Sequence, residues 1–211
     1  MAQGMFGARG TLAARKINRQ TAPLSWRVRN TLRWAWVKGY IATYLIAPFA
    51  NWWGVATMIA RLDAVLIKAD GTRIHYDALS YRVITDAGVA FLVDDWDNDA
   101  QDITTLHFHG CGTGTNAEAV GDTALQTEST TALNPDSTRA TGTESQPAAN
   151  QLRTVGTLTF DGSAAVTEHG ILSQAATGGG TLWDRSVFSA INVVSADSIQ
   201  FTYTCTVSSG G

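Results

Sequence analysis

No carboxylate occurs before Asp63, and that absence divides the chain in two. Residues 1–62 carry nine Lys or Arg and no acid, a net of +9; the remaining six basic and eighteen acidic residues give −12, and the two sum to the net charge of −3. A basic arm of this kind suits an acidic protein surface, nucleic acid or an anionic membrane. Docking on the acidic body of its own chain, or of a neighbouring subunit, fits equally well. Charge is scarce overall, at 16% of 211 residues. With abundant Gly, Thr, Ala and Ser, that profile fits a β-rich structural protein better than a soluble enzyme. Cysteine is limited to Cys111 and Cys205, too few for a disulfide framework, so free or buried thiols are expected. No signal-peptide pattern is present, because Arg9, Arg15, Lys16 and Arg19 precede any long apolar run.

Residues 1–25 read as an extended, polar, glycine-punctuated arm that needs a partner to order it. Residues 26–60 hold five of the seven tryptophans: Trp26, Trp34, Trp36, Trp52 and Trp53. From Gly39 to Ala60 there are 22 residues without a charge, between Lys38 and Arg61. That length reaches across a bilayer, but Pro48, Asn51 and Gly54 interrupt it. The favoured reading is a helix over Trp26–Ala47 followed by a turn, docking on other protein through Arg27, Arg29, Arg33, Trp34, Trp36, Trp52 and Trp53.

From Arg61 onward the periodicity is that of strands. Ala-Asp-Gly-Thr at 69–72 predicts a tight turn between LDAVLIK and RIHY, and LSYRVIT reads as a third strand. In DAGVAFLVDDWDN the spacing of Val89, Leu92, Val93 and Trp96 predicts one apolar face of a short helix. Residues 111–150 read as loops and short edge strands, with turns at Asn134-Pro135-Asp136 and, further on, at Asp161-Gly162. The last strand alternates cleanly, with Ile199, Phe201, Tyr203, Cys205 and Val207 on one face and Gln200, Thr202, Thr204 and Thr206 on the other. The expectation is a mainly β chain. Residues 61–211 form an antiparallel, jelly-roll-like β-sandwich with one short helix, preceded by the basic arm and Trp-rich helical segment of residues 1–60.

The stretch LHFHGCGTGT carries the candidate chemistry. Strand alternation from Leu106 places Leu106 and Phe108 in the core and His107, His109 and Cys111 on the wet face. Alternate residues on a strand lie about 7 Å apart, too far for one strand to enclose a metal whose ligands sit near about 2 Å. A metal site would require copies of His107 and His109 to meet across an oligomer axis. The tail GCGTGT opens no helix, so it is not a phosphate loop; it suits a strand end packed closely on another backbone. Glu168-His169 and Asp184-Arg185-Ser186 lack a nucleophile elbow. Asp184 and Arg185 are expected as a structural ion pair or loop anchor. The run DDWDNDAQD, residues 94–102, lacks calcium-loop spacing and is a docking partner for the basic arm. No catalytic residue, cofactor or metal is expected; a membrane anchor or a glycan-binding module on the sandwich loops are the alternatives to a structural role.

Three stretches carry a family resemblance. VITDAGVAFLVDDW, then ITTLHFHGCGTGTNAEAVGDTALQTE, then GGGTLWDRSVFSAINVVSADSIQFTYTCTVSSGG together resemble structural proteins of tailed bacteriophages, including tail-fibre N-terminal regions. In that pattern a T-x-A-G start leads a helix, a strand ends in G-T-G-T, G-D-T-A-L-x-x-E follows, and L-x-D-R-x-x-F precedes a final strand. The resemblance covers roughly residues 80–211. It implies a homo-oligomeric virion protein of the tail, neck or capsid surface, with other virion proteins, copies of itself or packaged DNA as partners.

Overall fold

The computed structural model describes Val37 and residues 40–81, 83–98 and 101–209. Arg27, Arg29, Arg33, Trp34 and Trp36 lie outside the described residues. The expected antiparallel sandwich forms from two five-stranded sheets. In the first, β1 (Thr57–Ile67) lies between β2 (Arg73–Tyr81) and β10 (Ser198–Ser208), followed by β7 (Gln151–Thr159) and β6 (Thr143–Ala148). In the second the order is β3 (Val83–Ile84), β9 (Leu182–Val193), β8 (Ala164–Leu172), β4 (Phe108–Gly112) and β5 (Ala140–Thr141). The short strands β5 and β6 are sheet edges drawn from residues 111–150, as read from the sequence.

The pairing of β1 with β10 organises the molecule. It runs without interruption from Thr57 opposite Ser208 to Ile67 opposite Ser198. In this register Leu62, Ala64 and Leu66 share a face with Ile199 and Phe201, and they meet Val166, Phe188, Ile191 and Val193 of the second sheet. A slip of one residue would turn both strands inside out. The alternation read along β10 holds through Cys205, which is buried; Val207, on the same face, is exposed.

The β1–β2 turn closes by Lys68 N–H donating to the Thr72 carbonyl at 2.8 Å, with Gly71 at φ +82°, a conformation that glycine adopts without a Cβ penalty. Buried Asp197, in the β9–β10 turn, joins the two turns. Its carboxylate accepts from Lys68 Nζ at 2.7 Å and from the N–H groups of Ala69 and Val194 at 3.1 Å each. Burial opposes ionisation of Asp197, yet these donors outweigh it and hold the carboxyl below its ordinary 3.8.

Several expectations are corrected. The strand read in LSYRVIT is split between β2 and β3, because the chain changes sheets there and β3 pairs with β9. The helical segment does not stop at Ala47. A π-helical turn over Ala42–Ile46 leads into α1 (Ala47–Trp52), with Pro48 in its first turn, where a missing N–H leaves no helical bond unmade. The break falls instead at Gly54, φ +80°. Since β1 starts at Thr57, the described part of the uncharged run, residues 40–60, is part helix and part strand. No helix of the described residues is long and apolar enough to cross a membrane. The helix of DAGVAFLVDDWDN, α2 (Asp86–Asn98), turns its other face inward. Gly88 and Phe91 are buried and Leu92 half-buried, whereas Val89, Val93 and Trp96 are exposed.

Candidate docking surface

The histidine strand is built differently from the expectation. Leu106 belongs to the end of a 3-10 turn over Ile103–Thr105, and β4 begins only at Phe108. His109 and Cys111 point into the core, fully buried, while Phe108 is half-buried. His109 Nδ1 is 3.0 Å from His169 Nε2, and His109 Nε2 is 3.1 Å from Thr154 Oγ1. The His169 ring lies against Phe201, centroids 4.2 Å apart. His109 therefore has no exposed edge to offer at an oligomer axis, and His107, half-buried, faces Glu144 at 3.7 Å instead. Among the described residues no three His, Cys, Asp or Glu side chains converge to hold a metal. Burial pushes the Cys111 thiol up to about 12 and that of Cys205 up to about 11.

The groups TEHG and WDRS do come together, on neighbouring strands β8 and β9, and they do so inside the protein. Glu168 and Arg185 are buried and paired, Nη2 to Oε2 at 2.8 Å. Glu168 also accepts from the N–H groups of Gly114 at 3.0 Å, Gln126 at 2.9 Å and Thr127 at 2.7 Å. Arg185 continues to Asp122 Oδ2 at 2.9 Å and the Asn116 carbonyl at 3.3 Å. Burial works against the Arg185 charge, but Asp122 and Glu168 outweigh it, so its pKa is raised. Asp184 is not its partner: adjacent strand residues face opposite ways, and Asp184 Oδ1 accepts instead from the Ile171 N–H at 3.2 Å. A second buried pair, Arg139 with Glu128 at 2.6 Å, ties the Gln174 and Gly179 carbonyls to the same loops.

These pairs form a clasp that presses residues 113–128 onto the outer face of the second sheet. The glycines of GCGTGT make the approach feasible. A Cβ at Gly112 would stand 2.2 Å from the Thr127 carbonyl oxygen, and one at Gly114 would stand 2.5 Å from Glu168 Oε1. The close backbone packing expected of this tail is what it provides. Glu168, Arg185, Arg139 and Glu128 thus hold loops in place.

The surface with unmet physical demands lies elsewhere. Trp52 and Trp53, two of the expected docking residues, end α1 and are 74% and 69% exposed. With exposed Phe49 they form one aromatic cluster, ring centroids 5.9–6.1 Å apart. Tyr44, Leu45 and Ile46 of the π-helical turn are exposed as well. The helix touches the body through few groups, among them Tyr44 edge-on to Tyr81 at 6.4 Å and Asn51 accepting from Thr57 Oγ1 at 3.0 Å.

Beside the start of β1 the sandwich is open. The inward faces of β1, β7 and β10 extend past the second sheet, leaving Met58, Leu152 and Val207 exposed opposite Leu92 and Trp96 of α2. Trp183, with Nε1–H donating to Tyr203 Oη at 2.6 Å, closes the inner end. The result is an apolar slot of about 920 Å³. Sequence reading missed it because six separate segments line it; the signal present was Val207 and Trp96, apolar residues in excess of what the core absorbs. The chain matches no protein family, no curated protein and no solved structure.

Proposed function

We propose that this chain is a non-enzymatic structural component of a tailed-phage virion, of the tail, neck or capsid surface, that assembles through its N-terminal segment. The observation that carries the reading is the exposed Phe49–Trp52–Trp53 cluster, on a helix that the sandwich leaves largely uncovered. Contiguous exposed aromatics rimmed by polar surface mark interaction sites, and Trp is the residue most enriched among those that dominate interface energy. The basic residues that precede the helix add long-range attraction to an acidic partner surface. The resemblance over residues 80–211 supplies the setting, and the buried Arg185–Glu168 pair fits a scaffold.

The test is complementation of particle assembly with the full chain carrying Trp52→Ser and Trp53→Ser. The variant is expected to fold, by far-UV circular dichroism, and to be left out of particles. Incorporation at the wild-type level would overturn the reading. Flotation of the wild-type chain with anionic vesicles, and loss of flotation in the variant, would assign the cluster to lipid instead.

A further inference from the structure

We propose that the apolar slot is the receptor for the aromatic cluster of a second copy of this chain, so that copies join knob into slot. This rests on the assembly reading above and names its partner and its geometry. The knob is Phe49, Trp52 and Trp53; the slot is lined by Met58, Leu92, Trp96, Leu152, Trp183 and Val207. A chain cannot readily fill its own slot. Only Thr57 and three residues before it separate Trp53 from Met58 in the slot wall, and α1 is held to the start of β1 by the bonds of Asn51 with Thr57 and of Ala50 with the Val55 N–H. A second copy supplies the missing occupant.

The ring surface is there to be covered: Phe49, Trp52 and Trp53 are 61%, 74% and 69% exposed. Charge agrees with this pairing. Trp96 stands on the slot rim within the acidic stretch Asp94, Asp95 and Asp97, while the eight basic residues that precede the knob, Arg9 to Lys38, have no acid among them. A knob entering the slot brings that basic segment toward the acidic helix. Knob and slot lie beside the same end of β1, so two copies can exchange knobs in a closed pair, or successive copies can pass them on in a ring or filament.

The test uses two full-length variants in sedimentation experiments across a concentration series. One, Trp52→Ser with Trp53→Ser, lacks the knob; the other, Leu152→Lys with Val207→Lys, carries lysines at exposed positions of the slot wall. Each is expected to associate about thirtyfold or more weakly than wild type. The decisive measurement is their equimolar mixture. The intact slot of the first accepts the intact knob of the second, so the mixture forms a one-to-one complex that grows no further. Self-association that persists in both variants overturns the knob-and-slot pairing while leaving assembly through the N-terminal segment standing. Failure of the mixture to form a complex also overturns the pairing. A wild-type chain that stays monomeric throughout overturns it too, and particle incorporation of the Trp variant then decides the wider reading separately.

Discussion

The outer face of the second sheet and the open end beside β1 face opposite physical problems and meet them differently. On the first, charges are buried, and every one of the principal pairs is completed within the chain: Glu168 has Arg185 and three backbone donors, and Arg139 has Glu128 and two carbonyls. On the second, apolar surface at Met58, Leu152 and Val207 is left uncovered. Buried charge without a partner is prohibitive, so it must be settled inside the fold. Exposed apolar surface is tolerable, and so it can be left for another molecule to cover. The polar region therefore reports on stability and, on the proposed pairing, the apolar region on association.

Perturbations should separate the two. Arg185→Met leaves Glu168 and Asp122 without their cation and is expected to lower stability by about 3–5 kcal/mol in urea unfolding, with little change in association. A cost under about 1 kcal/mol would erase the contrast. Gly112→Ala drives a methyl group into the Thr127 carbonyl and should cost about 1–3 kcal/mol, read the same way. Asp197 sharpens the comparison through pH. Its folded pKa is depressed, so the stabilisation is complete above the ordinary 3.8 and is lost as pH falls through the lower folded value. Asp197→Asn should flatten the acid limb of a stability-versus-pH curve; an unchanged limb would remove Asp197 from the account. The smallest stability effect belongs to Trp52→Ser with Trp53→Ser, expected within about 0.5 kcal/mol of wild type per site, although association is lost.

Strands with one wet side were readable. Along β10 the alternation of apolar and polar residues is the record of one face in the core and one in water. β4 carries no such record, because the core covers one face and the clasped loop covers the other. With His109 and Cys111 inward and Gly110 and Gly112 outward, all four are buried. Leu106 is in the core as read, but it lies in a turn, and carrying the alternation on from it put Phe108 inward and His109 and Cys111 outward. Helix α2 misled for a related reason: it has two apolar stripes, and periodicity cannot tell which one its own chain will cover. Trp52 and Trp53 stood out in the sequence through the density of the Trp-rich segment, and both are exposed. The partner of Arg185 was not, since the pairing of β8 with β9 and the path of residues 113–128 bring Glu168 and Asp122 to it from a distance along the chain.

The uninterrupted ladder between β1 and β10 gives the molecule a mechanical polarity. β1 begins and β10 ends at the same pole, at Thr57 and Ser208, while the Lys68–Asp197 contact fastens the opposite pole. Tension applied through the two outward-leading segments would load the rungs of this ladder one at a time, from Thr57–Ser208 downward. Tension entering through the N-terminal segment and leaving through the far turns would load all of them together. A subunit held by its knob is thus compliant toward a pull on its own C-terminal strand and stiff toward a pull on its far end.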